Sequence, residues 1–204
     1  DEHNIEEQYE KSLKRKVWMK SGAHLVIEHT EAMLVIDVNS GRFIGKKDQE
    51  QNSLKINLES AREVARQLKL RDIGGLIVID FIDLQKDENK KKVFDELRIA
   101  LKNDRAKVSL TEFSTFGLLE MTRQRIRLNL LHTVSYDCPT CQGLGRIATP
   151  DTVLTRLENW LKRFRNKAND RRLSVMLNKE MLDYINGTKS KAVKGFMWDN
   201  WMLI

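Results

Sequence analysis

The sequence predicts an α/β domain, and three observations lead to that class. Two short apolar runs, residues 32–38 and 76–80, are typical of strands that are buried on both faces of a sheet. The segment between them repeats apolar residues at helical spacing, so the unit predicts a right-handed parallel crossover. Hydrophobic residues make up 41% of the 204 residues, which is enough for a packed core.

The chain before the first of these runs predicts a helix and a hairpin. Ile5, Tyr9 and Leu13 recur at four-residue spacing within residues 4–16, which predicts an amphipathic helix. Nothing precedes this helix for its apolar face to pack against, so we expect it to end an upstream domain. The next predicted elements are a strand at 23–27, a turn at 28–31 and the strand 32–38, which ends at Asn39-Ser40-Gly41.

Helices and strands alternate through the middle of the chain. One face of a long predicted helix is marked by Leu54, Leu58, Ala61, Ala65 and Leu68, and Gly74-Gly75 ends the pattern. The other predicted elements are a basic loop at 42–52, the strand 76–80, a helix at 87–103, a strand at 106–111 and a helix at 116–127. Cys, Pro and Gly then cluster at 135–150, which indicates a boundary. A helix at 151–166, a strand near 172–177 and a helix at 178–187 predict a small α+β domain beyond it.

The charge of the chain favours a polyanionic partner. The net charge is +7 and the isoelectric point is about 9.4, and each phosphate that a basic protein neutralises releases counterions. The N-terminus has no secretory signal pattern, and no apolar run approaches the roughly 20 residues of a membrane span. We therefore expect a soluble, cytoplasmic protein without a membrane segment.

Asp37 and Asp80 form the strongest chemical pattern in the sequence. Each lies at the end of a buried strand, and the predicted crossover brings both strand ends to one edge of the sheet. Neighbouring carboxylates repel unless a cation lies between them, and Mg²⁺ prefers such oxygen ligands. Asn39 can orient Asp37 by a hydrogen bond, and Asp83 lies close to Asp80. Since aspartates at strand ends often serve only as turn residues, that interpretation is the alternative.

The segment CPTCQGLG (138–145) is typical of half a zinc site, because Cys-x-x-Cys brings two thiolates to one ion. Zinc takes four ligands, and the chain has two cysteines and four histidines. His132 is one candidate for a further ligand. A second copy of the chain is another, since two pairs related by a two-fold axis make a four-thiolate site. A redox pair and two free thiols are the remaining interpretations.

Several basic residues are candidates for holding phosphate groups. Arg42, Lys46 and Lys47 follow the Asp37 strand closely, which places them near the predicted cation. Arg123, Arg125 and Arg127 alternate along the predicted helix at 116–127, so some of them are expected to face the strand ends.

Four stretches of the sequence resemble the ribonuclease E/G family. They are GAHLVIEHTEAMLVIDVNSGR (22–42), NLESAREVARQLKLRDIGGLIVIDFID (57–83), FGLLEMTRQR (116–125) and CPTCQGLGRI (138–147), in the family's order. The resemblance implies a mixed-sheet, deoxyribonuclease-I-like catalytic subdomain at 21–135, a zinc link at 136–149 and a small dimerisation domain at 150–204. It also implies that residues 1–20 end a ribonuclease-H-like subdomain. The OB-fold RNA-binding domain and most of the 5′-sensor region are expected upstream of Asp1.

The resemblance further implies Mg²⁺-dependent endonucleolytic cleavage of single-stranded RNA, which leaves 5′-monophosphate and 3′-hydroxyl ends. AU-rich substrates with a 5′-monophosphate are the expected preference. Asp37 and Asp80 match the family's Mg²⁺ ligands, and Asn39 matches the residue that supports Asp37. Lys107 falls where the family uses a basic residue, usually Arg, at the 5′-phosphate, and a lysine keeps the charge but loses the forked geometry.

Quaternary structure is implied by the same resemblance. Cys138 and Cys141 match the residues through which two protomers share one Zn²⁺, which gives a homodimer and leaves a tetramer open. The alternative function is a catalytically incompetent fragment that serves as a dimerisation and RNA-docking module. The RNA-binding residues expected in either case are Arg42, Lys46, Lys107, Arg123 and Arg125.

Overall fold

The computed structural model describes residues 4–41, 49–167 and 175–187. The chain divides into two compact units, residues 1–136 and residues 137–204, and each is described by itself. Arg42, Lys46 and Lys47, which were predicted to lie near a cation, fall outside the described residues.

The first unit is built on a six-stranded mixed sheet, which confirms the predicted α/β class. Its strands are β1 (Lys16–Trp18), β2 (His24–His29), β3 (Met33–Asn39), β4 (Gly75–Asp80), β5 (Val108–Leu110) and β6 (Leu118–Arg123). They lie in the order β1-β2-β3-β4-β6-β5. The pair β3–β4 is parallel, as the crossover pattern predicts, and the other neighbouring pairs are antiparallel. Its helices are α1 (Ile5–Leu13), α2 (Gln49–Leu70), α3 (Asp87–Leu101) and α4 (Leu130–Val134).

The hydrophobic core lies between one face of this sheet and the helices α2 and α3. Every second side chain of a strand is buried there, as with Leu34, Ile36 and Val38 of β3. Val64 and Leu68 of α2 and Val93 and Leu97 of α3 belong to the same core. The intervening strand side chains point to the opposite face and are exposed or half-buried, because side chains alternate along a strand. Among the described residues, no long helix covers that opposite face in the way that α2 and α3 cover the first.

Helix α2 ends in a Schellman motif that returns the chain to the sheet. Asp72 has the left-handed backbone conformation (φ 52°), and the Ile73 amide donates to the Leu68 carbonyl at 3.0 Å. Ile73 is buried and begins the short connection to β4. This close turn fixes the amino end of β4 against the core.

The helix predicted at 116–127 is wrong, because the segment forms the strand β6. Leu119 and Met121 are buried while Glu120 and Thr122 are exposed, and this two-residue alternation is that of a strand. The strand β1 was not predicted, since its residues adjoin the amphipathic helix. It lies within the predicted segment 1–20 and yet is a strand of the same sheet.

The second unit contains the helices α5 (Pro150–Lys167) and α6 (Lys179–Gly187), close to their predicted positions. Leu154 of α5 and Met181 and Ile185 of α6 form its small apolar cluster. The strand predicted near 172–177 lies largely outside the described residues, and 175–178 have no regular structure. No helix in the described part of either unit is long and apolar enough to cross a membrane.

Candidate active site

Asp37 and Asp80 are direct partners on the neighbouring parallel strands β3 and β4. Strands of a sheet lie about 4.8 Å apart, and paired residues present their side chains on the same face. Both aspartates are exposed on the face that points away from α2 and α3. The parallel crossover therefore brings two carboxylates together that are far apart in the sequence.

Asn39 holds the carboxylate of Asp37. Its side-chain Nδ2 donates a hydrogen bond of 2.7 Å to Asp37 Oδ2. The two residues are two positions apart on β3, so an extended strand puts both side chains on one face. The hydrogen bond expected from the sequence is thus present, and it fixes the orientation of one carboxylate oxygen.

The environment of Asp80 disfavours the charged form of its carboxyl group. Partial burial raises the pKa of the Asp80 carboxyl, and the nearby carboxylates of Asp37 and Asp83 raise it further. Two adjacent carboxylates with this mutual repulsion fit a hard divalent cation, whose charge would offset it. The described residues contain no cluster of three or more His, Cys, Asp or Glu side chains suited to a metal. A pair of carboxylates suits Mg²⁺ because this ion commonly retains water and takes phosphate oxygens.

The loop after β4 is anchored by Asn57, a residue that the sequence patterns did not single out. Asn57 is fully buried on α2. Its Nδ2 donates to the Ile82 carbonyl at 2.7 Å, and its Oδ1 accepts from the Ile82 amide at 3.0 Å. Ile82 lies between Asp80 and Asp83, so this pair of hydrogen bonds holds the segment that carries both carboxylates. The only sequence signal for this role of Asn57 is its position, at helical spacing among the apolar residues of the buried face of α2.

The predicted phosphate-binding arginines lie at the other end of the sheet. Arg123 pairs with Gly75 at the amino end of β4, whereas Asp80 ends that strand. At about 3.3 Å per residue, the two ends are roughly 17 Å apart. Lys107 adjoins Arg123 through the neighbouring strand, since the Gln124 amide donates to the Lys107 carbonyl at 2.8 Å. The structure does not bring this group together with the aspartates.

Arg123 itself is a buried structural residue. It is 4% exposed, and its Nε and Nη2 each donate to the Asp104 carboxylate at 2.9 Å. Its Nη1 donates to the Ile73 carbonyl at 2.7 Å. The guanidinium is therefore engaged within the protein, and we propose no phosphate contact for it. Arg125 is exposed, and its Nε donates to the Gly74 carbonyl at 3.3 Å. Lys107 is also exposed.

The two cysteines lie in a compact turn of the second unit. The Gln142 amide donates to the Cys138 carbonyl at 2.7 Å, and the Leu144 amide donates to the Cys141 carbonyl at 2.9 Å. Both thiols are free, and hydrogen bonds from the backbone of Cys141 and Thr140 lower the pKa of Cys138. A thiolate is the form that binds a metal. His132, the other candidate ligand, has its ring Nδ1 2.6 Å from Asn129 Oδ1 and its ring against His29, within the first unit.

The fold and the site together define an α/β domain with a pair of neighbouring carboxylates on the sheet face opposite α2 and α3. The chain belongs to the ribonuclease E/G family, whose sequence model matches residues 1–126.

Three curated relatives of the chain are named ribonuclease G or ribonuclease E. The chain is 36% identical to ribonuclease G of Escherichia coli (strain K12) over 193 residues, which are 95% of this chain and 40% of that protein. It is 43% identical to ribonuclease G of Haemophilus influenzae over 153 residues, 75% of this chain and 31% of that protein. It is 38% identical to ribonuclease E of the same organism over 191 residues, 94% of this chain and 20% of that protein. The chain thus spans about two fifths of the length of the ribonuclease G relative from Escherichia coli.

Proposed function

We propose that this chain carries the catalytic core of an endoribonuclease that cleaves single-stranded RNA with Mg²⁺ held by Asp37 and Asp80. The observation that carries the proposal is the pairing of these two aspartates on adjacent parallel strands. The names of the ribonuclease G and ribonuclease E relatives support RNA as the substrate. The net charge of +7 suits a polyanionic substrate.

Each residue of the site has a distinct role in this proposal. Asp37 and Asp80 hold the cation, Asn39 keeps Asp37 in position, and Asn57 keeps the segment around Asp80 in position. A bound Mg²⁺ supplies Lewis acidity toward a phosphodiester oxygen and lowers the pKa of a water molecule. In-line attack of water that breaks the bond from phosphorus to the 3′ oxygen leaves 5′-monophosphate and 3′-hydroxyl ends.

Basic residues are proposed to position the RNA backbone at two places. Arg42 and Lys46 follow β3 in the sequence and are proposed to contact phosphates near the aspartates. Lys107 and Arg125 lie at the opposite end of the sheet, where a 5′-phosphate is proposed to bind. The two ends of the sheet are roughly 17 Å apart, so one RNA strand can have its 5′ terminus bound at one end and its cleaved bond at the other.

Cys138 and Cys141 are proposed to share a zinc ion with the same pair of a second protomer. Two thiolates are half of a tetrahedral zinc site, and two copies related by a two-fold axis supply four. The turn that holds both cysteines supports this assignment.

The proposal is tested by cleavage of a 5′-monophosphorylated, AU-rich RNA oligonucleotide with Mg²⁺ and with EDTA. We expect internal cuts only with Mg²⁺, and a loss of at least about 100-fold in rate for Asp37→Asn and for Asp80→Asn. Asp95→Asn, which changes a half-exposed carboxylate of α3 that pairs with Arg98, is the matched control and should cleave normally. Normal cleavage by both site variants would exclude the assignment. RNA binding without cleavage under any divalent cation would instead favour a dimerisation and RNA-docking module.

A further inference from the structure

Trp18 is an exposed aromatic side chain on the same sheet face as the paired aspartates. It ends the edge strand β1 and is 63% exposed. Its sheet partner is His24 on β2, and the partner of His24 is Asn39 on β3. Trp18, His24 and Asn39 therefore form one row across the face, and Asn39 is the residue that holds Asp37.

Lys16 belongs to the adjacent row, which contains the aspartates. Lys16 pairs with Val26, Val26 with Asp37, and Asp37 with Asp80. Two strand spacings separate Lys16 from Asp37, or about 10 Å. That distance spans no more than about three nucleotides at the 3.4 Å spacing of a stacked strand. A strand of RNA crossing the aspartates along this row would therefore pass Lys16 within a few nucleotides of the cleaved bond.

The three side chains Lys16, Trp18 and His24 form a contiguous group, which we call the Trp18 platform. The ring centroids of Trp18 and His24 are 4.9 Å apart at 47°, and Lys16 Nζ lies 4.2 Å from the Trp18 ring centroid. Burial lowers the pKa of His24, and Lys16 lowers it further although Asp37 opposes both. Nδ1 of His24 is buried without a hydrogen-bond partner in the described part of the chain.

We propose that the Trp18 platform is a nucleobase-binding subsite, in which Trp18 stacks on one base of single-stranded RNA and Lys16 pairs with a flanking phosphate. The identity of the ligand as RNA rests on the proposed function. An indole face accepts any base, so the subsite would hold the strand without reading its sequence. Lys16 Nζ lies over the Trp18 ring in the free chain, and when a base stacks on the indole the ammonium group would move from the ring to a flanking phosphate. The platform and the aspartates lie on the same face of the sheet.

The test measures the affinity of this chain for a fluorescein-labelled, single-stranded RNA 10-mer of mixed sequence, by anisotropy in EDTA. Without a divalent cation, binding is read independently of cleavage. We expect Trp18→Ala to weaken binding about 5- to 100-fold, and Trp18→Phe to remain within about threefold of the original chain, because a phenyl ring still stacks. Trp160→Ala is the matched control: Trp160 is 46% exposed on α5 in the second unit, and its loss should leave the affinity unchanged.

A series of 10-mers with one abasic position each locates the stacked base. We expect one position at which removal of the base weakens binding to the original chain but not to Trp18→Ala, because the contact is already lost in that variant. Equal affinity of Trp18→Ala and the original chain would overturn the proposal. An equal loss of RNA affinity in Trp18→Phe and Trp18→Ala would also overturn it. A change in the sedimentation of Trp18→Ala without a change in its RNA affinity would show instead that Trp18 contacts protein, and would overturn it as well. Binding that depends on Trp18 in a chain that never cleaves would uphold the subsite and refute the proposal that this chain alone cleaves RNA.

Discussion

Asn57 and the backbone of Ile82 exchange two hydrogen bonds, of 2.7 Å and 3.0 Å, across the boundary between α2 and the loop after β4. Helix α2 thereby holds the chain between Asp80 and Asp83 in place. A polar side chain with no exposure is stable in such a place only when its hydrogen bonds are made. The position of one of the paired carboxylates thus depends on a residue of the helix layer behind it.

Asn57→Ala should therefore lower both stability and cleavage. The variant leaves the amide and carbonyl groups of Ile82 without their partner, which costs about 1–3 kcal/mol in the free energy of unfolding. We expect the cleavage rate of the folded variant to fall as well, because the Asp80 segment is no longer held. Urea unfolding and a cleavage assay at low temperature measure the two effects. Asn103→Ala, at an exposed position after α3, should change neither. Unchanged cleavage by folded Asn57→Ala would show that Asn57 only stabilises the core.

Asn39→Ala should weaken the affinity of the site for Mg²⁺ and leave the stability of the fold unchanged. Loss of a group that orients a metal ligand typically costs about 10- to 100-fold in metal affinity or activity. We expect the Mg²⁺ concentration for half-maximal cleavage to rise by that factor, with the unfolding midpoint unchanged. Thr122→Ala is the control, since Thr122 lies on the same face of the sheet on β6. A lower maximal rate at an unchanged Mg²⁺ requirement would contradict a role in holding Asp37.

The aspartate pair could be predicted from the sequence because it depends on local patterns and one chirality rule. The apolar runs of β3 and β4 and the periodicity of α2 define a crossover, and a crossover makes the strands parallel. The strand β6 could not be separated from a helix, because Leu118, Leu119 and Met121 suit both periods over so few residues. The burial of Arg123 depends on Asp104, which only the tertiary structure brings to it. Contacts of this kind leave no local trace in the sequence.

Asp104→Asn should destabilise the first unit at neutral pH. The side chains of Arg123 and Asp104 are 3% and 2% exposed, so the variant leaves a buried guanidinium with only the more distant carboxylate of Asp72, 3.5 Å from its Nη1. Breaking such a pair costs about 3–5 kcal/mol, which is measurable by urea unfolding at pH 7. Asp95→Asn, which removes the half-exposed partner of the exposed Arg98, should cost no more than about 1 kcal/mol. Equal stability of the two variants would show that Asp104 contributes nothing beyond a surface pair.

The same pair gives a pH dependence with a defined sign. Although burial acts to raise the pKa of Asp104, hydrogen bonds from Arg123 and from the Ala106 amide lower it overall. A carboxyl whose pKa is lower in the folded chain stabilises the fold above its unfolded pKa of about 3.9 and loses that contribution as the pH falls further. The stability difference between the original chain and Asp104→Asn should therefore be largest near neutral pH and shrink below about pH 4. A constant difference from pH 3 to pH 7 would contradict this assignment.

Cys138→Ser should abolish the proposed zinc-linked dimer. Each protomer then offers one thiolate instead of two, and the shared site cannot reach four. Sedimentation should show a monomer for the variant and for the original chain after treatment with a strong chelator, and restoration of the original dimer on adding Zn²⁺. Ser135→Ala, outside the Cys-x-x-Cys turn, is the control. A dimer that persists through both treatments would place the contact between protomers elsewhere.

The alternation of side chains along β1, β2, β3 and β4 divides the possible mutations of this sheet into two independent sets. Substitutions at positions such as Lys16, Trp18 and His24 alter the face opposite α2 and α3 and leave the packing against these helices intact. The domain is thus suited to acquire new preferences by point mutation at little cost in stability. Insertion of one residue into β3 would have the opposite effect, because every side chain beyond it would change faces. We expect evolution within this sheet to proceed by substitution, with changes in length confined to the connections between strands.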